Sequence, residues 1–464
     1  MRGRDLRAWL AEQWRLILAT AGVAAFAAWL FHPAPPASPA PTPPLPTATP
    51  RLLTSPIAVP YPTTLPPTPT PIAALRDRGR LLVPARLGDR TGIVALDADG
   101  GEQRVVADGD YQGAAWSPDG RWFLAYGREG VALYAADGQL ARRYPLAGDA
   151  ALRAYWAPDS RHVAVAPGGA AGPATTWLLD TGGGVRALDL GARTFPSAPA
   201  GGDPWSSTGV LALAVDGAGS GTPSPPRAIW TVGADGGAPR RLAEGDDTFA
   251  GWSLDGRTLY LLGDAAGGAP RTLFAVDGAA GARRALARAD DLVGQLARPG
   301  TPAPATGDAP WSFAAAVPAP GGDGLAVWLA QPATYATIRV IEAPWLVVLD
   351  GAGRARWWWH AGGRSEPLYT AWSPDGRMLA ASYGQALTGV QGGVVLLDTS
   401  GRRPPLGFAL TDVRNADPGS LRWSPDGRTL ALVQDRTLTI LDVATGRRWP
   451  LLPAAGPPTW RPGA

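Results

Sequence analysis

Short apolar strands alternate with turn-forming residues along most of the chain. The hexapeptide Trp-Ser-Pro-Asp-Gly-Arg occurs three times, at residues 116–121, 372–377 and 423–428. Each copy is followed by a short run rich in apolar residues, such as Thr-Leu-Ala-Leu-Val at 429–433. Proline presets φ for a type I turn, and glycine accepts the left-handed conformation that closes the turn. The pattern therefore predicts a β-hairpin at each copy, with the tryptophan at the end of the first strand.

Incomplete copies of the hexapeptide extend the series. They read Trp-Ala-Pro-Asp-Ser-Arg at residues 156–161, Trp-Ser-Leu-Asp-Gly-Arg at 252–257 and, in reduced form, Trp-Ser-Ser-Thr-Gly at 205–209. Adding Trp311 and Trp460 gives eight tryptophan marks, spaced by 40, 49, 47, 59, 61, 51 and 37 residues. These spacings match propeller blades of about 40 to 50 residues with insertions.

A second series of eight lies between these marks. Each member is an apolar strand followed by a turn rich in Asp and Gly and by an Arg-bearing strand. The apolar strands lie at residues 92–97, 131–134, 176–180, 228–231, 272–277, 345–350, 394–398 and 438–442. Two independent series with the same count predict eight copies of one unit.

The two ends of this region predict how the units close. The first unit, near residues 78–108, has no Trp-bearing strand before it, whereas Trp460 stands in a strand with no unit after it. Pairing the last strand with the first blade removes the exposed sheet edges of an open array. We therefore predict an all-β, eight-bladed β-propeller over residues 78–464, closed by the Trp460 strand. Seven blades would result if the unit around Trp311 or Trp205 merged with a neighbour.

Composition supports this class and excludes several functions. The 464 residues include 60 Gly and 49 Pro, which suits many turns and few long helices. The chain has no Cys, and all 42 basic residues are Arg, so thiolate metal sites, thiol nucleophiles and Schiff-base lysines are impossible. The net charge is +3, of which residues 1–32 supply +2. No basic stripe is visible, and we expect no nucleic-acid partner.

The N-terminal residues predict that the protein is attached to a membrane. Residues 1–15 carry four Arg, and residues 16–32 form a nearly uncharged apolar segment. This predicts a cytoplasmic N-terminus, a single transmembrane signal anchor and an extracytoplasmic propeller. Secretion after cleavage of a signal peptide is the alternative, but Trp29, Leu30 and Phe31 are a poor approach to a cleavage site that requires small residues.

Residues 33–75 predict a disordered stalk rich in Pro and Thr. Sixteen of the forty residues 33–72 are proline. Such a segment cannot bury a core and tends toward polyproline II, so it could extend about 3.1 Å per residue from the membrane.

The repeat resembles a known family of propellers. Trp-Ser-Pro-Asp-Gly-Arg, a strand, and a strand ending in Leu-Asp are similar to the WD-repeat-like units of the TolB-type propeller and of prolyl-oligopeptidase-type enzymes, over residues 78–464. The chain departs from true WD repeats because it has no Trp-Asp dipeptide, and from the peptidases because it has no Gly-x-Ser-x-Gly elbow. The resemblance implies a protein-binding or scaffolding role and no enzymatic activity.

Candidate catalytic and metal-binding residues are few. The three histidines, His32, His162 and His360, are widely separated in sequence, whereas zinc sites gather several ligands. The repeated aspartates occupy one turn position and are interpreted as structural: Asp119, Asp159, Asp255, Asp375 and Asp426. The pairs at 246–247 and 290–291 could ligate calcium, but solvated loop carboxylates are the favoured interpretation. We expect no metal, no cofactor and no catalytic residue.

Loop lengths predict where a partner would bind. In a four-stranded blade, the first-to-second and third-to-fourth connections share one face, and the hexapeptide turns lie there. The longer insertions fall on the other face, at residues 216–227, 263–269, 289–310, 331–343 and 383–392. Variable loops on a rigid scaffold often carry recognition. The candidate binding residues are Tyr335, Arg339, Glu342, Tyr383 and Gln385.

Three consecutive tryptophans, Trp357, Trp358 and Trp359, stand on the predicted outermost strand of the sixth blade. Packing between blades is the favoured role, and an exposed hydrophobic patch is the alternative. For the whole chain, a membrane-anchored protein-binding propeller is the leading hypothesis. A receptor for a small ligand, sugar or peptide at the channel mouth comes second, and an enzyme third.

Overall fold

Eight four-stranded antiparallel sheets make up the described part of the chain. The computed structural model describes residues 75–463 with internal gaps, the longest of which are 168–174, 197–202, 217–227, 297–309, 386–391 and 411–420. Each sheet is one blade, and the first strands of neighbouring blades contact one another around a common axis. The predicted eight-bladed propeller is confirmed, and the seven-bladed alternative is wrong.

The first four blades follow the chain in order, except that the first blade also takes the last strand. Blade 1 contains β1 (Arg80–Leu87), β2 (Arg90–Asp97) and β3 (Arg104–Asp108). Blade 2 contains β4 (Tyr111–Trp116), β5 (Trp122–Gly127), β6 (Gly130–Ala135) and β7 (Leu140–Tyr144). Blade 3 contains β8 (Leu152–Trp156), β9 (His162–Pro167), β10 (Thr176–Asp180) and β11 (Val185–Leu188). Blade 4 contains β12 (Arg193–Pro196), β13 (Val210–Asp216), β14 (Ala228–Gly233) and β15 (Arg240–Glu244).

The remaining blades continue in the same way, with one helix between blades 5 and 6. Blade 5 contains β16 (Thr248–Trp252), β17 (Thr258–Gly263), β18 (Thr272–Asp277) and β19 (Arg283–Arg288), and α1 (Ala289–Leu296) follows it. Blade 6 contains β20 (Ser312–Pro318), β21 (Gly324–Tyr335), β22 (Ile338–Asp350) and β23 (Ala355–His360). Blade 7 contains β24 (Ser365–Trp372), β25 (Met378–Gln385), β26 (Gly392–Asp398) and β27 (Leu406–Leu410). Blade 8 contains β28 (Arg422–Trp423), β29 (Thr429–Gln434), β30 (Thr437–Asp442) and β31 (Arg448–Pro453), and β32 (Thr459–Trp460) ends the series.

The ring is closed by β32, which becomes the innermost strand of blade 1. Trp460 pairs with Leu81 and Thr459 pairs with Leu82, in antiparallel register. The Arg461 amide also donates to the Arg80 carbonyl at 2.8 Å. The predicted closure by the Trp460 strand is therefore confirmed. It leaves no first or last blade with an unpaired inner edge.

The hydrophobic core lies between the blades. The buried apolar residues form eight clusters, and each cluster joins side chains from two adjacent blades. Leu133 of blade 2, for example, packs in one cluster with Val163 of blade 3. A single blade has two apolar faces and cannot bury either one alone, so its stability depends on both neighbours.

The hexapeptide tryptophan connects each blade to the one before it. Its indole Nε1 donates a hydrogen bond to a backbone carbonyl of the previous blade. The acceptor is the residue just before that blade's own tryptophan position. Six bonds of this form are present: Trp156 to Ala115 (3.0 Å), Trp205 to Tyr155 (3.0 Å), Trp252 to Pro204 (3.0 Å), Trp372 to Val317 (3.0 Å), Trp423 to Ala371 (3.0 Å) and Trp460 to Arg422 (2.8 Å). Trp116 differs, because its buried Nε1 has no hydrogen-bond partner among the described residues.

Blade 6 shows that one of the predicted tryptophan marks is wrong. In a complete copy, the amide of the residue after the tryptophan closes the turn. In blade 6 the Ala319 amide closes it by donating to the Gly324 carbonyl, so Pro318 occupies the tryptophan position. Trp311 instead lies just before β20, buried in the cluster between blades 5 and 6. Proline has no indole N–H, and its ring packs against Gly251, where an added Cβ would lie 2.6 Å from the Pro318 ring. The count of eight was right because both Trp311 and Pro318 belong to the same blade.

The hexapeptide turn is held by its own side chains. In the copy at 372–377, the Ser373 hydroxyl donates to Asp375 Oδ1 at 2.6 Å and accepts the amide of Met378, which follows the copy, at 2.9 Å. Asp375 Oδ1 also accepts the Arg377 amide at 3.1 Å. Gly376 has a φ of 69°, as the turn requires. The structural interpretation of the repeated aspartates agrees with these contacts.

Neighbouring hexapeptide turns contact each other around the axis. The Asp119 amide of blade 2 donates to the Ser160 hydroxyl of blade 3 at 3.0 Å. The Ser207 hydroxyl of blade 4 donates to the Leu254 carbonyl of blade 5 at 2.7 Å. Ser160 takes the glycine position of its turn at a φ of 57°, which costs conformational energy that this bond between blades helps to offset. The turns therefore brace the ring on one face.

The predicted anchor (16–32) and most of the stalk (33–75) lie outside the described residues. In the part of the chain that the structure covers, no helix is long and apolar enough to cross a membrane.

Trp423→Phe should be more destabilising than Trp116→Phe. Both variants remove an indole from the same position of a blade, but only Trp423 loses a hydrogen bond and leaves a carbonyl, that of Ala371, without its donor. We expect the Trp423 variant to lose about 1 kcal/mol more free energy of unfolding than the Trp116 variant. Urea unfolding followed by tryptophan fluorescence measures both. Equal losses would show that the bond between blades contributes no net stability.

The turn aspartates should make the protein less stable in acid. Burial alone would raise the pKa of Asp375, but the Ser373 hydroxyl, the Arg377 amide and the Arg377 charge hold that pKa below its usual 3.8. The pKa of Asp119 is lowered by equivalent groups against the same opposing effect of burial. A carboxyl with a lowered folded-state pKa stabilises the fold above pH 3.8 and loses this contribution as the pH falls through the folded-state pKa.

The double variant Asp119→Asn/Asp375→Asn keeps an oxygen acceptor in place of Oδ1 at each position and removes both charges. We expect wild type to be more stable than this variant at neutral pH, and we expect the gap to shrink as the pH falls below 3.8. Thermal unfolding followed by circular dichroism over a pH series measures the gap. A gap that does not change with pH would contradict the assignment.

Candidate functional site

The two faces of the propeller differ in how much their loops vary. One face, here called the turn face, carries the first-to-second and third-to-fourth strand connections, which are mostly short hydrogen-bonded turns. The other face, here called the insertion face, carries the second-to-third connections and the links between blades. The strands that flank all five predicted insertions end on the insertion face, as the strand order requires. Residues 217–227, 265–268, 297–309 and 386–391 of these insertions lie outside the described residues.

The insertion at residues 331–343 is a β-hairpin that projects from blade 6. Strands β21 and β22 stay paired through Gln331 with Glu342 and on to Tyr335 with Ile338. Strand β20 pairs with β21 only as far as Ala330, and β23 pairs with β22 only from Trp345 onward. Within the described residues, no third strand pairs with this extension, so it projects as a two-stranded arm beyond the four-stranded sheet.

Three of the five candidate binding residues lie on this arm. Tyr335 stands beside its tip, Arg339 pairs with Thr334, and Glu342 pairs with Gln331 near its base. The structure describes their backbone positions and not their side chains. The arm therefore brings these three residues together on one hairpin, as the insertion hypothesis expects.

The other two candidates lie on blade 7. Gln385 pairs with Ser365 at the end of β25, and its side chain is not described. Tyr383 is half-buried and packs against Trp359 of blade 6, with ring centroids 5.6 Å apart. Tyr383 thus belongs largely to the packing between blades 6 and 7. It lies on blade 7, whereas the arm extends from blade 6.

The insertion after blade 5 begins with α1, which is fixed to the core. Ala289, Leu292 and Leu296 of this helix are buried in the cluster between blades 5 and 6. Asp290 pairs with Arg271 and accepts the Trp311 amide at 3.3 Å. These contacts give Asp290 a structural role.

Asp247 also has a strong partner. Both of its carboxylate oxygens accept from Arg283, at 2.7 and 3.2 Å. Asp246 lies outside the described residues. Within the region that the structure covers, no group of three or more His, Asp or Glu side chains is arranged to hold a metal ion.

The three consecutive tryptophans divide between core and surface. They lie on β23, the outermost strand of blade 6, as predicted. Trp357 and Trp359 pack in the cluster between blades 6 and 7. Trp358 faces the other way, is 37% exposed, and contacts Trp345 with a centroid separation of 5.3 Å. Packing between blades accounts for two rings, and one ring is partly exposed to solvent.

The innermost strands bring a group of polar side chains together at the axis. Arg153 and Tyr155 are on β8 of blade 3, and Arg422 is on β28 of blade 8. Tyr155 hydrogen-bonds with Arg153. Burial raises the pKa of Tyr155 and the charges of Arg153 and Arg422 oppose that rise, so Arg422 lies within electrostatic range of Tyr155 although blades 3 and 8 are not neighbours. Arg422 donates to the Tyr369 hydroxyl of blade 7 and lies 5.4 Å from its ring centroid.

Asp203 adds a carboxyl to this group. It precedes Trp205 by two residues and accepts the Trp205 amide at 2.9 Å. Desolvation of its carboxyl by the surrounding protein raises its pKa to about 7, and the hydrogen bond from the Trp205 amide opposes this rise. Its charge also raises the pKa of Tyr155, although burial is the larger cause of that shift.

The channel residues were not found by sequence reasoning. A usable signal existed, since Tyr155 and Arg422 each stand immediately before a hexapeptide tryptophan, where the other blades carry Ala115, Pro204, Gly251, Val317, Ala371 and Thr459. A bulky or charged residue there has to point toward the axis. The hypothesis of a small-ligand receptor at the channel mouth stays a prediction, and these are the groups that such a ligand would meet.

The histidines stand apart from this group. His162 Nδ1 lies 2.6 Å from Asp159 and its Nε2 lies 3.7 Å from Asp180, on the turn face of blade 3. His360 packs against Trp345 at a centroid separation of 4.5 Å, and burial lowers its pKa. His32 lies outside the described residues.

Comparison with known proteins finds similarity among solved structures. No family model matches the chain, and no curated protein matches it in sequence. Among solved structures, the C-terminal WD40 domain of Sif2 is 12% identical with a TM-score of 0.49, over 78% of this chain and 92% of that domain. TolB from Acinetobacter baumannii is 14% identical with a TM-score of 0.35, over 71% of this chain and 79% of that one.

A prolyl endopeptidase is similar as well, at 13% identity and a TM-score of 0.46, over 85% of this chain and 53% of that chain. At these identities the likeness concerns the fold alone. The eight four-stranded sheets of this chain themselves confirm the predicted all-β, eight-bladed propeller. WD40 and TolB propellers are among the solved structures to which it is similar.

Proposed function

We propose that this protein is a membrane-anchored, extracytoplasmic propeller that binds a protein partner through its insertion face. The observation that carries the proposal is the projecting arm of β21 and β22. Its five paired positions, from Gln331 with Glu342 to Tyr335 with Ile338, extend beyond the sheet and take no part in closing the ring.

The arm has the features of a recognition element. An isolated two-stranded hairpin is marginal in water and leaves backbone N–H and C=O groups on both outer edges. A partner can use such an edge by adding a strand to it, with backbone hydrogen bonds supplying affinity and alternate side chains supplying specificity. Pro332 lacks an N–H and limits pairing at one place on the β21 edge.

The rest of the propeller provides a rigid base for the arm. Residues 345–349 of β22 are buried at the root of the hairpin, and Trp328 and Trp345 are each only 1% exposed. Indole hydrogen bonds and braced turns tie the blades together on the turn face. A fixed base presents a recognition element in one orientation and lowers the entropy lost on binding.

The location outside the cytoplasm rests on the sequence. The four arginines before residue 16, the apolar segment 16–32 and the proline-rich segment 33–75 favour an uncleaved anchor followed by a stalk. A catalytic role has no support, because the described polar residues at the axis include no nucleophile activated by a base.

Replacing residues 331–343 with Asn-Gly should abolish capture of the partner and leave the propeller folded. The replacement removes the arm at the point where β20 and β23 stop pairing, so the four-stranded sheet is kept. Full-length protein carrying an affinity tag is used to isolate bound proteins from solubilised membranes, with quantitative mass spectrometry of each eluate. We expect a protein enriched by wild type to be lost with this variant.

The matched control keeps the arm and changes only its tip. Ala336-Thr337→Asn-Gly supplies a two-residue turn suited to a hairpin and preserves all five paired positions. This variant should capture the same partner as wild type. Unchanged capture by the shortened variant, at an unchanged unfolding temperature, would contradict the role of the arm.

The anchor can be tested separately from the partner. With a tag before residue 1, an uncleaved anchor predicts that the tag stays on the same chain as the propeller in the membrane fraction of bacterial cells. Protease added to spheroplasts should then digest the propeller and spare the tag. Loss of the tag from a secreted propeller would indicate signal cleavage, and protection of the propeller would place it in the cytoplasm.

A further inference from the structure

A cavity of about 470 Å³ lies between blades 4 and 5 on the turn face. Val210, Val232 and Trp252 contribute apolar surface, and Arg240 and Arg257 stand among the residues that line it. Its volume falls within the range of roughly 300–1,000 Å³ typical of pockets for small organic ligands. The arm proposed to bind a protein is on the opposite face, so this cavity is a separate site.

The cavity is explained by a deletion in the repeat. In a complete copy, the Ser117 amide bonds the Trp122 carbonyl, and the arginine of the hexapeptide stands between the turn and the second strand. In blade 4 the Ser206 amide bonds the Val210 carbonyl, one residue earlier, and the arginine is missing. Val210 directly follows the missing position and Thr208 lies two residues before it, and both line the cavity.

A longer turn in blade 5 also contributes. The Asp277 amide bonds the Ala282 carbonyl, whereas in blade 3 the Asp180 amide bonds the Gly184 carbonyl, so the turn of blade 5 has one more residue. At the junction of blades 3 and 4, Arg186 Nη1 comes within 2.7 Å of the Cβ position of Gly236 in the next turn. At the junction of blades 4 and 5, Arg240 Nη2 stays 3.9 Å from the Cβ position of Gly281, and the space is not filled.

The two cavity arginines are without an anionic partner in ion-pair range. In blade 3, Arg161 pairs with Asp180 of its own blade at 3.1 Å. The equivalent residues in blade 5, Arg257 and Asp277, form no ion pair, and Arg240 forms none either among the described residues. Asp277 instead uses Oδ1 to accept the Ala279 amide at 2.9 Å. Two exposed guanidinium groups therefore stand beside an apolar recess.

We propose that this cavity binds a small organic carboxylate with a flat apolar body. A guanidinium presents a planar fork of N–H groups that matches a carboxylate, and an apolar recess containing an indole suits an aromatic or similarly flat body. Asp277 lines the same cavity and would repel a second negative charge. The site thus favours a monoanion over a phosphate ester or a dicarboxylate.

Isothermal titration of the detergent-solubilised full-length chain with 2-naphthylacetate tests the proposal. Arg240→Gln and Arg257→Gln should each weaken binding by about 10-fold or more, as expected for loss of a charge-assisted hydrogen bond. The neutral amide of the same probe should bind wild type more weakly by a similar factor. Both arginines are exposed, so neither substitution is expected to prevent folding.

Three further variants separate binding in this cavity from binding elsewhere on the propeller. Arg284→Gln on β19 removes an exposed arginine that is not part of the cavity lining, and should bind as wild type does. Arg422→Gln removes a channel arginine and should also bind normally. Restoring the full hexapeptide in blade 4, by Ser207→Pro, Thr208→Asp and insertion of Arg after Gly209, should fill the cavity and abolish binding.

Three results would overturn the proposal. The first is no binding of 2-naphthylacetate by wild type at millimolar concentration, and the second is equal binding by wild type and the double variant Arg240→Gln/Arg257→Gln. The third is loss of binding in Arg422→Gln with retention in the cavity variants, which would place the carboxylate in the channel instead.

Discussion

The fold depends on a hydrogen bond that crosses from one blade to the next. A four-stranded blade is apolar on both faces and cannot be stable alone. The sequence must therefore specify how each blade packs against the next. In six of the eight blades, the tryptophan of the repeat meets this need twice, because its ring packs between two blades and its N–H bonds a carbonyl of the previous one. Repeated around the ring, one local contact fixes the angle between blades and hence their number.

The turn and the tryptophan act as one unit. The hydroxyl and carboxylate of the turn set the backbone at the strand end, and this places the indole against the neighbouring blade. Where the repeat departs from this unit, the structure changes in a way that can be traced. Pro318 replaces the indole with a ring packed on Gly251, and the shortened turn at Ser206 opens a cavity.

Much of the fold could be predicted because the hexapeptide is a local signal repeated many times, and closure followed from the strand that each end of the region lacks. Trp311 was wrongly assigned to the tryptophan position of blade 6. The sequence shows that a tryptophan is present, but only the hydrogen bond between Ala319 and Gly324 shows where the turn begins. The insertion at 331–343 was located by its length, but its pairing as a hairpin depends on where β20 and β23 stop. The channel group escaped prediction because Arg153, Tyr155 and Arg422 come near one another only once the ring has formed, since blades 3 and 8 are not neighbours in the ring.

Closure by β32 also governs when the protein can finish folding. Leu81 and Leu82 find their inner partner only after residues 459 and 460 have been made, so almost the whole domain must wait with an open edge. Contacts this distant in sequence form slowly, and unpaired strand edges expose a chain to aggregation in the meantime. A propeller closed by its last strand should therefore complete its fold in one late, concerted step, and the incomplete ring is the species that cellular folding factors would have to protect.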